Sequence, residues 1–321
     1  MMKLIKRKRG INRVWAITVL LLLSLFTNES KAQQDPMYTQ YMFNTLAINP
    51  AYAGTRDMLS LMLLSRHQWV GFEGAPSTQT LTAHSPVANK NIGLGLSLIH
   101  DRLGPTRQTG LYFDYSFQVK MNEALRLSFG LKGGFNYYQL DMAELNRLTP
   151  YDDPAYNDPN ISKLLPNFGF GLYLYSTRFY LGLSAPKLLE NKFSTEGDIE
   201  SEQTGKETRH YFITSGAVFD LSDEVKFKPS ILARLAEASP ISFDMNVNFL
   251  FKEKLWVGGM YRISDSFGAI VQYQITKQFK IGYAFDMTTN ELRNYNSGTH
   301  EIMINYEFNF NKEEVQNPRY F

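Results

Sequence analysis

The chain has 321 residues, a formal net charge of +2 and no cysteine, and aromatic residues make up 14% of it. The absence of cysteine excludes disulfides, thiol catalysis and thiolate metal sites. Seven basic side chains and one acidic side chain lie in residues 1–32, which leaves the rest of the chain with 26 basic against 30 acidic side chains. A mildly acidic chain of this kind gives no indication of nucleic-acid binding.

Residues 1–32 have the features of a secretory signal peptide. A basic stretch, MMKLIKRKRGINR, precedes an apolar run at residues 14–26, and Ser-Lys-Ala at residues 30–32 supplies the small residues of a cleavage site. The alternative is an uncleaved membrane anchor, but this run is shorter than the roughly 20 residues that a helix needs to span a bilayer. We therefore expect export, with cleavage between Ala32 and Gln33.

Residues 33–56 form a periplasmic lead-in to the first predicted strand. The segment shows neither strict alternation nor a clear helical period, and NPAYAG at residues 49–54 predicts a turn. The sequence leaves two roles open for it. It either plugs or caps the end of the domain that follows, or it offers a face to periplasmic partners.

Residues 57–311 alternate between apolar and polar side chains, as strands with one apolar and one polar face require. At residues 299–310, for example, Ile302 and Ile304 share one face while Glu301 lies on the other. No apolar run in this region is long enough for a transmembrane helix, so a membrane-spanning form would have to be a β-barrel. The predicted strands cover residues 57–72, 77–87, 91–99, 109–120, 124–138, 167–175, 178–185, 209–221, 225–237, 241–251, 255–262, 267–275, 279–287 and 299–310.

The predicted fold is all-β: a transmembrane antiparallel barrel of about 14 strands, an even number within the bacterial range. The long connections, at residues 100–108, 139–166 and 186–208, all follow odd-numbered strands, and the connections after even-numbered strands are tight turns. Outer-membrane barrels have short periplasmic turns and longer extracellular loops. The alternation therefore places both chain ends in the periplasm, including a C-terminal tail at residues 312–321.

The inward face of the predicted wall carries charges of both signs, which favours an internal salt-bridge network or a plugged lumen over a strongly charge-selective pore. These residues are Asp114, Lys120, Arg126, Lys132, Asp244, Glu301 and Glu307. Glycines share this face at Gly93 and Gly95 and again at Gly169 and Gly171. They indicate narrow interior space rather than a phosphate site.

The sequence contains no motif of a catalytic, cofactor or metal site. Its five histidines lack metal-ligand spacing, and no nucleophile elbow, P-loop or dinucleotide fingerprint occurs. We therefore predict a protein that is not an enzyme and has no cofactor, and we interpret His67 as a polar residue at a strand end. Calcium binding stays open for four residues of the polar loop at residues 149–160, although a solvated turn is the simpler interpretation; they are Asp152, Asp153, Asn157 and Asp158.

Several blocks, in the same order and over essentially the whole mature chain, resemble the PorP/SprF family of type IX secretion system outer-membrane proteins. They are QDPMYTQYMFNTLAINPAYAGTRD, RHQWVGFEGAPSTQTLTAHSPV, NIGLGLSLIHDRLGPTRQTG and the terminal NPRYF. The signature residues within these blocks are Gln40, Tyr41, Asn49, Pro50, Tyr52, Gly54, Arg66, Trp69, Gly71, Pro76, Pro318, Arg319, Tyr320 and Phe321.

The resemblance implies an integral protein of a Gram-negative outer membrane that serves type IX secretion and, in some members, gliding motility. It implies protein partners as well as membrane lipid. These are the secretion machinery, with a periplasmic lipoprotein and ring components, and the C-terminal domain of a secreted cargo or a large surface adhesin. The family supplies no catalytic residues.

We expect the signature residues of the lead-in and the tail to dock periplasmic partners, and the long outer loops to contact cargo. Trp69 is expected to be an aromatic anchor at the outer interface, with Gly71 and Pro76 in the tight reversal that follows. Two other functions stay open on the residues alone. One is a passive pore or transporter for small solutes, and the other is a purely structural barrel or adhesin.

Overall fold

A closed antiparallel sheet dominates the computed structural model, which describes residues 36–87, 91–144, 160–193, 205–237 and 239–308. The strands are β1 (Leu59–His67), β2 (Ser77–Pro86), β3 (Ile92–Leu103), β4 (Thr106–Lys120), β5 (Arg126–Leu140), β6 (Ile161–Tyr175), β7 (Phe179–Ala185), β8 (His210–Ala217), β9 (Phe219–Asp220), β10 (Val225–Ala236), β11 (Ser242–Phe251), β12 (Leu255–Arg262), β13 (Ser266–Gln274), β14 (Phe279–Thr288) and β15 (Thr299–Phe308). β10 pairs with both β8 and the two-residue β9, so these two occupy one position in the wall. β15 pairs with β1 and closes a barrel of 14 strand positions, which confirms the predicted fold.

The alternation of side chains gives the barrel its two faces. Leu131, predicted to point outward, is 62% exposed, whereas its chain neighbour Lys132 is buried. Glu301 is fully buried, and Ile302 beside it is exposed. Bulky apolar side chains therefore cover the outside, where hydrocarbon would contact them, and polar side chains line the lumen, as in outer-membrane barrels.

The two rims of the barrel differ in the length of their connections. Residues 121–125, 176–178 and 252–254 are short connections at one rim, which we call the turn end. Residues 141–160 and 186–209 are long connections at the other rim, which we call the loop end. In barrels of this kind the turn end faces the periplasm and the loop end faces the cell exterior.

The prediction of a long loop at residues 100–108 is wrong. β3 runs to Leu103 and β4 begins at Thr106, so only a tight turn separates them. The ladder continues through polar cross-strand pairs, among them His100 and Thr109, whose Nδ1 and Oγ1 atoms lie 2.9 Å apart. The strands thus extend past the point where apolar alternation stops. Backbone groups form the ladder whatever the side chains are, and polar cross-strand side chains can stabilise it as well.

The first strand is shorter than predicted, and the sixth is longer. β1 ends at His67 because Trp69 and Gly71 have positive φ values of 46° and 95°, which turn the chain out of the sheet. β6 begins at Ile161 rather than at residue 167, and it contains Pro166, a residue that usually marks a strand edge.

The remaining regular structure is short. Within the described ranges it comprises helix α1 (Thr45–Ile48), two 3₁₀ helices, Pro50–Tyr52 and Glu291–Tyr295, and a helical stretch at residues 142–144. Among the described residues, no helix has both the length and the apolar character to cross a membrane. The predicted signal peptide at residues 1–32 and the predicted tail at residues 312–321 lie outside the described residues.

Candidate functional site

The lumen is occupied by the segment that precedes the first strand. We call residues 36–56 the plug. Every residue from 38 to 56 is buried, and the segment contains helix α1 and the first 3₁₀ helix. The sequence leaves open that this periplasmic lead-in plugs or caps the barrel end, or that it docks periplasmic partners. The structure places it within the barrel, along the lumen rather than below it.

The plug runs along the barrel from the loop end toward the turn end. Thr39 bonds to Glu301, which pairs with Arg66 near the loop end of β1. Arg56, at the other end of the plug, pairs with Glu307 near the turn end of β15. The chain therefore descends through the lumen before it enters the wall at β1.

Three buried charged side chains hold the upper part of the plug, and we call Arg66, Asp286 and Glu301 the clamp. The Arg66 guanidinium lies 2.9 Å from Asp286 Oδ2 and 3.0 Å from Glu301 Oε2. The backbone N–H groups of Thr39 and Gln40 donate to the two Glu301 carboxylate oxygens, each at 2.9 Å. Arg66 Nη1 also donates to Thr39 Oγ1 at 2.6 Å, and that hydroxyl donates to Asp286.

The clamp joins three wall strands to the plug at one point. β14, β15 and β1 each supply one of its charges. Buried charges are costly unless they are paired and hydrogen-bonded, and removing one partner of such a group typically costs about 3–5 kcal/mol. The plug backbone donates hydrogen bonds to both oxygens of the buried Glu301 carboxylate. Plug and wall therefore stabilise each other.

The lower part of the plug lies against glycines, and we call Gly93, Gly130 and Gly171 the glycine seat. A Cβ atom added at Gly130 would overlap the backbone nitrogen of Ala51. At Gly93 it would overlap the Ala53 carbonyl, and at Gly171 it would overlap the Asn49 side chain. The inward glycines therefore provide narrow interior space, as predicted, and the plug backbone and the Asn49 side chain fill it.

Asn49 fixes the turn that the sequence predicts at residues 49–54. Its Oδ1 accepts from the backbone N–H of Ala51 at 3.0 Å, which caps the 3₁₀ helix that starts at Pro50. Its Nδ2 donates to the backbone carbonyl of Leu172 at 3.0 Å. One side chain thus shapes the plug and ties it to β6.

Wall side chains also bind the last residues of the plug. Ser116 Oγ donates to the Ala53 carbonyl at 2.6 Å, and Gln118 Nε2 donates to the Gly54 carbonyl at 3.0 Å. The backbone N–H of Gly54, which has a φ of 64°, donates to His84 Nδ1 at 3.2 Å. Polar wall residues therefore meet the hydrogen-bonding needs of a buried, irregular backbone.

Most of the inward charges predicted from the sequence form ion pairs in the lumen, and all of these charges except the half-buried Glu307 are buried. Lys132 Nζ lies 2.9 Å from Asp114 Oδ1. The Arg262 guanidinium binds Asp244 through two bonds of 2.6 and 2.7 Å. Glu301 belongs to the clamp, and Glu307 pairs with Arg56. The lumen thus contains both features that the sequence left as alternatives, a salt-bridge network and a plug.

Two of the predicted inward charges are placed otherwise. Lys120 is exposed at the turn end, where its Nζ lies 3.0 Å from Glu123. Arg126, at the start of β5, is half-buried. Both lie at the rim of the barrel, where alternation no longer decides between lumen and lipid because solvent reaches either side.

A second element lies in the lumen, and nothing in the sequence predicts it. Residues 186–193 and 205–209 of the β7–β8 connection, which we call the inserted loop, lie at the loop end and line one cavity together with Pro36 and Tyr38 of the plug. Its Glu207 is buried and accepts from the side-chain amides of Asn136, Asn167 and Asn191, at 3.4, 3.1 and 2.6 Å. This carboxylate lies in a charged, apolar-poor stretch that resembles a solvated loop, so only its contacts with Asn136 on β5 and Asn167 on β6 could identify it.

The inserted loop also carries an exposed ion pair. Lys206 Nζ lies 2.9 Å from Glu190 Oε2, and the Arg209 guanidinium lies 3.7 Å from the other Glu190 oxygen. The hydrogen bond from Lys206 lowers the pKa of the Glu190 carboxyl, and the same bond raises the pKa of Lys206. These groups lie at the loop end, outside the wall strands.

The signature residues divide into three groups. Gln40, Tyr41, Asn49, Pro50, Tyr52 and Gly54 are plug residues and are buried, and Arg66 belongs to the clamp. Trp69, Gly71 and Pro76 lie in the β1–β2 loop, where Gln68 N–H donates to the Pro76 carbonyl and Val70 N–H to the Gly298 carbonyl, each at 2.9 Å. Pro318, Arg319, Tyr320 and Phe321 lie outside the described residues. The predicted role of these residues in partner docking stays a prediction.

The histidines show no metal-binding arrangement in the described part of the chain, where no group of three potential ligands occurs. His67 ends β1, and its ring nitrogens each lie 3.2 Å from a serine hydroxyl, those of Ser65 and Ser77. The four calcium candidates, Asp152, Asp153, Asn157 and Asp158, lie outside the described residues.

Comparisons with known proteins agree with this architecture. A family model described as "Type IX secretion system membrane protein PorP/SprF" matches residues 30–306. No match is found among curated proteins. A solved structure of the CymD monoaromatic hydrocarbon channel is 11% identical, with a TM-score of 0.50 over 85% of this chain and 93% of that chain.

Two further solved structures are similar at lower TM-scores. The Acinetobacter baumannii outer membrane protein Omp33 gives 0.44 at 11% identity, over 80% of this chain and 100% of that one. A Pseudomonas aeruginosa FadL homologue gives 0.45 at 14% identity, over 87% and 96%. At 11% identity, the similarity to the CymD channel bears on the fold alone.

Proposed function

We propose that this chain, which belongs to the PorP/SprF family of type IX secretion system membrane proteins, supports the secretion or surface attachment of cargo proteins through protein–protein contacts and has no enzymatic activity. It acts as an integral barrel of a Gram-negative outer membrane and reaches it with a cleaved signal peptide. Its partners are the periplasmic and ring components of the machinery on one side and cargo, such as a large surface adhesin, on the other.

The observation that carries this proposal is the plug. A channel for small solutes needs a continuous lumen whose lining sets selectivity. Here the clamp, the glycine seat and Asn49 bind a buried segment along the lumen between Thr39 and Gly54. This arrangement supports a barrel that presents surfaces to proteins over one that passes solutes.

The two rims suit different partners. The short connections of the turn end face the compartment that contains the periplasmic machinery, and we expect the tail at residues 312–321 on the same side. The loop end carries the long connections and the inserted loop, and it faces the compartment into which cargo emerges. We therefore assign machinery contacts to the turn end and cargo contacts to the loop end.

Affinity purification from detergent-solubilised outer membranes, followed by mass spectrometry, tests the proposal. We expect type IX machinery or one large surface protein to co-purify, and another barrel purified from the same membranes serves as the control. The same preparation is examined for ion conductance in planar bilayers. A barrel that has no partners and conducts ions would contradict the proposal and favour the solute pore.

Deletion of residues 315–321 tests the contribution of the tail. We expect the deletion to abolish co-purification of periplasmic partners while the barrel still inserts and still retains any cargo bound at the loop end. Unchanged recovery of periplasmic partners would assign docking to the turn-end connections instead of the tail.

A further inference from the structure

The direction of the plug determines where the mature amino terminus lies. The plug descends from the loop end to the turn end, so the residues that precede it lead toward the loop end. Thr39 is held at the level of the clamp, and Tyr38 and Pro36 precede it in the chain. From this geometry we infer that the mature amino terminus lies on the cell-surface side of the outer membrane, opposite the carboxyl end of the last strand.

An open cavity at the loop end provides the exit. Pro36 forms part of its lining. Asp101 and Gln108, a cross-strand pair beside the β3–β4 turn, line one side, and Lys187 and Glu207 of the inserted loop line another. The chain that precedes Pro36 therefore has an exit between the β3–β4 hairpin and the inserted loop.

The remaining chain is too short to reach the other rim. With cleavage after Ala32, residues 33–35 span at most about 11 Å when fully extended. The seven strand steps from Glu301 to Phe308 cover roughly 23 Å along β15, or about 18 Å of barrel height at a tilt of about 40°. The lumen between these levels is filled by the plug itself, so the amino terminus cannot return to the turn end.

This placement of the amino terminus determines whether the signal peptide is removed before or after the plug is seated. A chain that kept residues 1–32 would have to carry a basic stretch and an apolar run through the lumen to the outside. The plug is therefore seated after the signal peptide is removed, and the amino terminus becomes a surface feature beside the loops that face the exterior.

Single cysteine substitutions test the inference directly, because the chain contains no cysteine. The test variant is Gln34→Cys. The loop-end control is Tyr295→Cys, at an exposed residue of the β14–β15 connection, and the turn-end control is Glu123→Cys, whose parent side chain is 96% exposed. Intact cells and cells with a permeabilised outer membrane are treated with a membrane-impermeant maleimide, and folding of each variant is checked by its gel mobility before and after heating.

We expect the Gln34→Cys variant to label on intact cells to the same extent as the Tyr295→Cys variant, and the Glu123→Cys variant to label only after permeabilisation. Labelling of position 34 only after permeabilisation would overturn the inference, since it would place the amino terminus in the periplasm. Absence of labelling under both conditions in a folded variant would also overturn it, since position 34 would then be enclosed within the protein.

Discussion

The clamp and the glycine seat hold the same segment by different physical means. At the clamp, Arg66 and two carboxylates bind the plug through short, charge-assisted bonds that fix the position of individual plug atoms. At the seat, Gly93, Gly130 and Gly171 contribute no side chain, and the plug is positioned because its backbone fits the space they leave.

The difference shows how each region tolerates change. Loss of one charge leaves the others buried without compensation, so the clamp is sensitive to deletion. Shape complementarity is instead sensitive to addition, since one extra methyl group has no room. Variants that remove atoms at the clamp and add atoms at the seat therefore distinguish the two mechanisms.

The largest effect is expected from Arg66→Ala. The substitution leaves Asp286 and Glu301 buried without their cation, and we expect the free energy of unfolding to fall by about 3–5 kcal/mol. Equilibrium urea unfolding in lipid vesicles, followed by tryptophan fluorescence, measures it. Arg178→Ala is the matched control, because Arg178 pairs with Asp220 at 2.5 Å on the exposed rim, where such a pair contributes less than about 1 kcal/mol. Equal losses in the two variants would contradict the role of the clamp.

We expect Gly130→Ala to lower the free energy of unfolding by a smaller amount. The new Cβ would overlap Ala51 N, and overpacking of this kind typically costs about 1–3 kcal/mol. We also expect faster hydrogen exchange in residues 47–54 as the plug shifts. Gly133→Ala, on the same strand with no atom within 4 Å of the added Cβ, is the control and should match the wild type. If the Gly130→Ala variant behaves like the Gly133→Ala control, the plug does not lie on β5.

We expect Asn49→Ala to lower the free energy of unfolding by about 1–2 kcal/mol. The substitution removes two hydrogen bonds, one donated to the Leu172 carbonyl and one accepted from the Ala51 N–H. The clamp is untouched, so exchange should increase in residues 47–54 while Thr39 and Gln40 stay protected. Hydrogen exchange with mass spectrometry separates the two halves of the plug. Uniform loss of protection along the plug would show that its two attachments act as one unit.

The smallest effect concerns the exposed pair of the inserted loop. Lys206 lowers the pKa of Glu190, so their attraction is present above the unfolded-state pKa of Glu and is lost as the pH falls through the lower folded-state value. NMR titration of Glu190 should give a pKa below the ordinary value of about 4.3, and Lys206→Gln should return it toward that value. An unchanged Glu190 pKa in the Lys206→Gln variant would exclude the pairing in solution.

The barrel was predictable because its signal is local. A strand can be predicted from a few residues, as where Ile302 and Ile304 share one face and Glu301 lies on the other. The lengths of the connections then define the two rims. The turn at Gly104 and Pro105 was missed because β3 and β4 extend into polar residues, where apolar alternation carries no information.

The plug was not predictable in detail because its contacts are distant in the chain. Thr39 and Glu301 are separated by 262 positions, and a segment enclosed on all sides has no reason to show the period of a strand or an amphipathic helix. Two indirect signals were present, the inward glycines and the inward charges of both signs. They indicated a narrow or filled lumen, but neither could say which segment of the chain fills it.

Hydrogen–deuterium exchange of residues 36–56 in a lipid bilayer tests the central claim most directly. The backbone N–H groups of Thr39, Gln40, Ala51 and Gly54 donate to buried acceptors, so the plug should exchange as slowly as the paired strands β11 and β12. Exchange as fast as that of the exposed connection at residues 121–125 would contradict the account, because the segment would then lie outside the lumen.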